Sequence, residues 1–169
     1  RRSACAFCSI ACKRIVAIKE GPFAIPEGPG PEYETIVAFG SLLGAMDLAA
    51  VCKAGRVCND LGLDTISTGS TIAWAMEAFE KGDLSIADTG GIDIRWGDMQ
   101  TVIDVLLPNI AAKTGKIGRL LSAGSVAAAK KTGKGSIAYT TLSKGLEAPT
   151  HDPRGGGHGL ALAYAISPR

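Results

Sequence analysis

Aromatic side chains are scarce in this sequence of 169 residues, since Phe, Trp and Tyr make up only 5% of it. So small a share argues against a stacking platform for single-stranded nucleic acid. No run of about 18 apolar residues occurs, so the sequence predicts no membrane-spanning helix. Basic residues form no long run and the net charge is only +2, which argues against a nucleic-acid or a membrane partner.

The distribution of the cysteines argues against a disulfide framework. The count of five is odd, and Cys5, Cys8 and Cys12 fall close together. That spacing favours a metal site in a reducing compartment. No signal-peptide pattern is present, and we therefore expect a cytoplasmic protein. Because the chain begins at Arg1 without an initiator Met, we also expect it to be a piece of a longer polypeptide.

The hydrophobic fraction of 46% is large enough for a core, and its spacing is mostly helical. Residues 47–61 carry an apolar stripe near period 3.6, with Asp47 as a plausible N-cap and Gly62 as the stop. Gly55 within that helix is unfavourable by about 1 kcal/mol relative to Ala, which suggests close packing there. Further helices are predicted over 71–81, 98–113 (kinked or split at Pro108) and 125–131.

Strand signals are weak in comparison. Residues 136–141 are the best candidate strand, and the Gly- and Pro-rich residues 20–31 are expected to form an irregular loop. The sequence therefore predicts a mainly α fold, an irregular multi-helix domain with Gly/Pro-rich loops.

The spacing of Cys5, Cys8 and Cys12 is C-x2-C-x3-C. Closely spaced thiolates let one short loop wrap an iron–sulfur cluster, often with a fourth ligand from elsewhere. Zinc is the main competitor, although structural zinc sites usually use two separated pairs of ligands. Cys52 and Cys58 lie on or near the apolar stripe of a predicted helix, where buried structural cysteine is the simpler interpretation. We therefore expect the fourth ligand to lie outside this chain.

Seven motifs, spread over nearly the whole chain, together resemble one known family. They are Cys5-x2-Cys8-x3-Cys12, Gly30-Pro31-Glu32-Tyr33-Glu34-Thr35, Gly62-Leu63-Asp64-Thr65-Ile66-Ser67, Arg95-Trp96-Gly97-Asp98, Lys144-Gly145-Leu146-Glu147-x-Pro149, His151-Asp152-Pro153-Arg154-Gly155 and Leu162-Ala163-Tyr164-Ala165. In this order they resemble the tungsten-containing aldehyde:ferredoxin oxidoreductases. The resemblance implies a first helical domain with the cluster-binding loop over 1–139 and the start of a second helical domain over 140–169. The chain would then be a fragment of a larger α+β enzyme whose N-terminal and C-terminal domains are missing.

The resemblance also implies cofactors and an activity. Family members bind tungsten (or molybdenum) between two molybdopterins, a bis-molybdopterin centre, close to a 4Fe–4S cluster. They oxidise small aldehydes to carboxylic acids and pass the electrons to ferredoxin, their partner. By this resemblance Cys5, Cys8 and Cys12 are cluster ligands. A homodimer is left open; the bridging-metal motif Glu-x2-His of some members is replaced here by the residues 53–56, so that metal is expected to be absent.

Individual cofactor-binding residues follow from the same resemblance. The pterin-binding pattern Asp-x2-Gly-Leu-Asp matches residues 59–64, so the expected contacts are Asn59, Gly62, Leu63 and Asp64. Asn59 replaces the first Asp of the pattern and carries no charge. Asp64 is the expected pterin contact, because a carboxylate accepts paired N–H bonds. Taken alone, the same residues predict only an ordinary helix stop and turn.

The family also places a glutamate near the metal, and Glu34, or else Glu32, matches that position. A carboxylate there with a raised pKa would act as a general base toward water or a hydrated aldehyde. Without the resemblance, either glutamate is better interpreted as a helix-start or surface residue. His151 is expected to belong to a structural turn in which Asp152 and Arg154 pair.

Three other functions stay open at this point. One is the tungsten subunit of a benzoyl-CoA reductase-type complex, within the same family. Another is a non-catalytic iron–sulfur electron-transfer protein, which needs its fourth cluster ligand inside the chain. The third is a helical binding module stabilised by zinc.

Overall fold

The computed structural model describes residues 1–152 and 154–169. Its N-terminal part is an antiparallel sheet in the order β1–β2–β3, formed by Arg2–Ser3, Lys13–Ile18 and Ile25–Pro29. The expectation that residues 20–31 form an irregular loop is therefore wrong for β3. The apolar run of β2 gives β3 a pairing partner, and the prolines of β3 are tolerated because it is an edge strand.

Helices make up most of the remaining chain, and the predicted mainly α class is confirmed. They are α1 (Tyr33–Phe39), α2 (Leu48–Leu61), α3 (Thr65–Glu80), α4 (Ile86–Thr89), α5 (Met99–Thr101), α6 (Leu107–Ala112), α7 (Gly115–Leu121), α8 (Ser125–Thr132) and α9 (Gly157–Ile166). A π-helical turn, Val102–Leu106, joins α5 to α6, and a short hairpin pairs β4 (Leu142–Ser143) with β5 (Leu146–Glu147). Across residues 1–152 and 154–169, no helix is both long and apolar enough to cross a membrane.

Capping carboxylates set the starts of the two longest helices. The Asp47 carboxylate accepts a hydrogen bond from the Ala49 N–H at 2.8 Å and starts α2, which ends at left-handed Gly62 as predicted. Helix α3 begins at Thr65 rather than near residue 71, because Asp64 caps it by accepting from the Ser67 N–H. The polar first turn of α3 carries no apolar stripe, so sequence periodicity did not reveal this start.

The predicted helix over 98–113 is present, and a π-helical turn, Val102–Leu106, interrupts it directly before the turn that contains Pro108. The Asp98 carboxylate accepts from the Thr101 N–H at 3.1 Å and starts the segment. Pro108 lies in the first turn of α6, where its missing N–H costs little. The segment ends at Lys113, whose φ of 55° is left-handed.

The strand predicted over 136–141 is wrong. Residues Ser136–Tyr139 form a 3-10 turn that packs against α3. The carbonyl oxygen of buried Ser136 accepts a hydrogen bond from the Trp74 indole N–H at 2.9 Å, and the Tyr139 hydroxyl donates to Asp83 at 2.8 Å. These tertiary contacts override the local strand preference.

Close helix packing brings α1, α2 and α3 to one corner of the core. At Gly69 of α3, an added Cβ would lie 2.8 Å from the Cβ of Ala38 in α1. At Gly55 of α2, it would lie 2.8 Å from the Cγ2 of Thr35, which confirms the close packing predicted there. Glycine at these two positions therefore lets α1 approach both α2 and α3 this closely.

The C-terminal residues are joined to the helical core by a buried carboxylate. Glu147 is 6% exposed, and its Oε1 accepts hydrogen bonds from the N–H and the hydroxyl of Ser125, both at 2.8 Å. Burial raises the pKa of Glu147, but the bonds from Ser125 outweigh it and leave the pKa below its usual value. No residue of α9 is buried. The division of the chain at residue 139 stays a prediction.

Candidate functional site

A cavity of about 370 Å3 lies at the corner where α1, α2 and α3 meet. It is lined by Lys13, Pro29, Gly30, Pro31, Glu32, Glu34, Thr35, Cys52, Gly55, Arg56, Asn59, Leu63, Asp64, Thr65 and Ile66. Both predicted catalytic glutamates are in this set, together with three of the four predicted pterin contacts. The fourth, Gly62, lies in the turn next to them. The structure therefore gathers residues from separate motifs around one space.

The turn between α2 and α3 places the predicted pterin contacts. Gly62 adopts a left-handed φ of 70°, and the Leu63 N–H donates to the Cys58 carbonyl at 2.8 Å, which closes α2. Asp64 then starts α3 as its N-cap. The helix stop and turn that the residues alone predict is present, and it also places Asn59 and Asp64 on the cavity wall.

The carboxylate of Asp64 holds a planar pair of donors. The Arg169 guanidinium donates to Oδ2 at 3.0 Å and to Oδ1 at 3.2 Å. Burial raises the pKa of Asp64, but the hydrogen bonds from Arg169 and Ser67 leave it below the usual value. A pterin ring presents a similar edge, with a ring N–H beside an amino group. A carboxylate that accepts two parallel N–H bonds from a guanidinium is therefore also suited to accept them from a pterin.

Glu34 is held by two residues near the other end of the chain. Its Oε2 accepts hydrogen bonds from the Thr150 N–H at 2.9 Å and the Thr150 hydroxyl at 2.7 Å. Its Oε1 contacts Nδ1 of His151, whose ring packs on Tyr33 with centroids 4.1 Å apart. Burial raises the pKa of Glu34, yet these bonds outweigh it and leave the pKa lowered. The raised pKa expected of a general base here is therefore wrong in this structure.

Glu32 differs from Glu34 in its surroundings. It forms an ion pair with Lys13 at 3.1 Å, and its side chain is 56% exposed. The side chain of Glu34 is only 20% exposed. Both carboxylates line the cavity, but Glu34 is the one fixed by several donors, which favours Glu34 over Glu32 as the functional carboxylate.

The three clustered cysteines share one exposed loop before β2. Cys5 and Cys12 are exposed and Cys8 is half-buried, and the Cys8 N–H donates to the Cys5 carbonyl at 3.2 Å. Left-handed Phe7 and Ala11 precede two of the three cysteines and coil the loop. Within the described part of the chain, no three groups of the metal-binding type converge. The predicted ligands thus lie on one short, accessible loop, but this structure does not bring their thiols together.

The other two cysteines are buried side chains of α2, as predicted. Cys52 is 7% exposed and Cys58 is fully buried. Burial, with a smaller effect from Asp64, raises the pKa of Cys58 to about 12. A thiol that resists ionisation in this way is a poor metal ligand, because the thiolate is the form that binds metal.

A larger cavity of about 510 Å3 lies beyond the far end of α3 and holds none of the predicted site residues. Its charged lining residues are Lys116, Arg119, Lys131 and Lys134 with Asp83 and Asp88. Lys116 and Lys134 already donate to backbone carbonyls of the neighbouring turns. Size alone therefore does not identify the functional site of this molecule.

Comparison with known proteins decides the family. The sequence matches the family model described as "Aldehyde ferredoxin oxidoreductase, domains 2 & 3" over residues 1–169. The chain belongs to the aldehyde ferredoxin oxidoreductase family. It is 40% identical to a tungsten-containing aldehyde ferredoxin oxidoreductase of Pyrococcus furiosus and 39% identical to one of Thermococcus kodakarensis. Each match covers 96% of this chain and 26% of the relative, so the chain spans about a quarter of their length.

More distant relatives show how widely this fold is used. The chain is 29% identical to a Pyrococcus furiosus protein named "Aliphatic sulfonate oxidoreductase, WOR-like subunit". A solved structure of the active site complex BamBC of benzoyl coenzyme A reductase, in complex with 1,5 dienoyl-CoA, superposes with a TM-score of 0.68. That match is 24% identical and covers 82% of this chain and 20% of the other, which shows a shared fold.

The sequence motifs located the residues of the cavity wall, but they did not reveal which residues contact them. Thr150 and His151 contact Glu34 across more than a hundred residues, and Arg169 contacts Asp64 across a similar span. His151 was expected only in a structural turn. Arg154 pairs with Asp152 at 2.7 Å as expected, whereas Pro153 lies outside the described residues. His151 also contacts Glu34.

Proposed function

We propose that this chain lines the pterin site of a tungsten-pterin oxidoreductase and carries three ligands of its 4Fe–4S cluster. The intact enzyme oxidises an aldehyde to a carboxylic acid, takes the oxygen from water and passes two electrons to ferredoxin. The observation that supports this most directly is the cavity that gathers Glu34, Asn59 and Asp64 from three elements. A cavity on which several polar side chains converge is the default candidate for a binding site.

The residues of the α2–α3 turn bind and orient the pterin in this proposal. The tungsten (or molybdenum) bis-molybdopterin, when bound, supplies the two-electron redox chemistry. Asp64 accepts N–H bonds from the pterin edge, as it accepts them from a guanidinium in this structure. Asn59 offers an amide that both donates and accepts, and left-handed Gly62 leaves the backbone of the turn open to close approach.

Glu34 is the proposed proton acceptor. It lies on the cavity wall, and its donors keep it ionised at neutral pH. An ionised carboxylate accepts a proton from water or from a hydrated aldehyde while the substrate is oxidised. Glu32, paired with Lys13 at the cavity edge, is the alternative.

Cys5, Cys8 and Cys12 are the proposed cluster ligands. Their spacing and exposure fit a cluster held mostly by one loop, with the fourth thiolate from outside this chain. The burial of Cys52 and Cys58 argues against an electron carrier that is complete within the chain. Binding of a cluster would have to draw the three thiols together, since they do not converge here.

Partners and setting follow from the same proposal. The other domains of the full-length polypeptide complete the pterin site, ferredoxin accepts the electrons, and the enzyme is cytoplasmic. Homodimerisation, if present, does not use a metal held by the residues 53–56, which offer no carboxylate or imidazole. The tungsten subunit of a benzoyl-CoA reductase-type complex is the second candidate, supported only by the fold it shares with BamBC. Assays with aldehydes and with an aromatic acyl-CoA separate the two.

The pterin assignment is tested by Asp64→Asn in the full-length enzyme. Asparagine is also a good N-cap, so α3 should keep its start while the charge is lost. We expect tungsten and pterin content to fall together after purification without oxygen. Asp47→Asn, the same change at the N-cap of α2, is the matched control and should keep both. Full cofactor content in Asp64→Asn would contradict the assignment.

A further inference from the structure

Glu34 contacts two residues, Thr150 and His151, that have no part in the proposed chemistry. Glu34 is one of the residues that line the cavity, whereas Thr150 and His151 are not. The side chain of His151 is 45% exposed and that of Glu34 is 20% exposed. Glu34 therefore links the cavity wall to two residues that are not part of the wall.

Both carboxylate oxygens of Glu34 are in contact with these residues. Thr150 donates its backbone N–H and its hydroxyl to Oε2, at 2.9 and 2.7 Å. His151 contacts Oε1 through Nδ1, and its ring is fixed in turn by the Tyr33 ring, tilted by 43°. His151, which contacts Glu34, is thus itself held in place by Tyr33. Contacts of this kind fix side-chain rotamers at functional sites.

We propose that Thr150 and His151 are positioning residues that hold the Glu34 carboxylate in one orientation at the cavity wall. The inference rests on the proposed role of Glu34 as proton acceptor. Rotation of the Glu34 carboxylate would break the contacts of both oxygens, those of Oε2 with Thr150 and that of Oε1 with His151. Because a proton transfer is sensitive to displacements of about 1 Å, such a clamp governs rate rather than substrate affinity.

The clamp also joins two parts of the chain. Glu34 is the second residue of α1, whereas Thr150 and His151 follow β5, more than a hundred residues later. Buried Glu147 anchors that hairpin to the start of α8. The carboxylate is therefore oriented only when the C-terminal residues are docked on the helical core.

Paired substitutions at His151 in the full-length, cofactor-loaded enzyme separate its hydrogen bond from its stacking. His151→Phe keeps a ring against Tyr33 and removes Nδ1. We expect kcat to fall about 10- to 100-fold with KM changed by less than about threefold. His151→Asn places an amide N–H near the position of Nδ1 and is expected to restore most of kcat. His158→Phe changes the exposed histidine of α9 and should have no effect.

A parental kcat in His151→Phe would overturn the proposal, and so would an equal loss in His151→Asn and His151→Phe. Hydrogen exchange gives a second readout that does not require activity. The Thr150 amide donates to Glu34, so Glu34→Ala should speed its exchange by about tenfold or more. Unchanged exchange would show that the contact is absent. If the parent enzyme oxidises no aldehyde while this exchange still responds to Glu34→Ala, the proposed function fails and the clamp stands.

Discussion

Replacing Glu147 by alanine removes the acceptor that caps the start of α8 from a distant part of the sequence. In the structure, Oε1 of Glu147 accepts the N–H and the hydroxyl of Ser125 at 2.8 Å each, and the Thr71 hydroxyl at 3.4 Å. Ser125 is 2% exposed, so water cannot easily replace the lost oxygen. The two short bonds therefore determine the expected size of the effect.

Each buried donor left without an acceptor costs about 1–3 kcal/mol. Two such donors at Ser125 give a loss of about 2–6 kcal/mol in the free energy of unfolding for Glu147→Ala. Loss of negative charge beside the first turn of α8 adds about 0.3–1 kcal/mol. Glu147→Gln keeps one acceptor oxygen, and we expect it to lose about 1–2 kcal/mol.

Urea denaturation followed by tryptophan fluorescence measures these losses, because Trp74 is buried in the core that α8 covers. The parent, Glu147→Gln and Glu147→Ala should unfold in that order of decreasing stability. A loss below about 1 kcal/mol in Glu147→Ala would refute the argument that Ser125 depends on this carboxylate.

Three further predictions follow from the same structure. Gly69→Ala should lower the free energy of unfolding by about 1–3 kcal/mol, because the added Cβ would lie 2.8 Å from both the Cβ and the carbonyl oxygen of Ala38. An unchanged urea midpoint would contradict this close packing. The lowered pKa of Glu147 gives stability that is present above the unfolded carboxyl pKa of about 4.3 and is lost as the pH falls through the folded pKa. Thermal melts of the parent and Glu147→Gln should therefore converge in acid, and a constant gap between pH values of about 3 and about 7 would argue against the linkage. In the full-length enzyme, Cys8→Ala should abolish the visible absorbance of the iron–sulfur cluster while Cys58→Ala keeps it, and the reverse pattern would reassign the ligands.

Local signals in the sequence predicted the elements whose causes are local. Helix α2 has an apolar stripe, an N-cap at Asp47 and a left-handed stop at Gly62, and all three are present. The start of α3 and strand β3 were missed because their causes are not local. The first turn of α3 is polar, and β3 depends on pairing with β2 despite its own prolines.

The candidate site shows the same division. The residues of the cavity wall follow from motifs that resemble a family, and folding places most of them together. Their protonation does not follow, because the donors that lower the pKa of Glu34 lie at Thr150 and His151, more than a hundred residues away. A motif identifies a carboxylate, whereas tertiary contacts decide whether it is ionised.

We propose above all that the corner of α1, α2 and α3 is the pterin site of a tungsten enzyme with an adjacent cluster. Metal and acid-labile sulfide analysis of the full-length protein, purified without oxygen, tests this most directly. We expect about one tungsten with about four iron and four sulfide per chain. Iron and sulfide without tungsten or molybdenum would remove the roles assigned to Glu34 and Asp64, and zinc alone would contradict both the pterin site and the cluster.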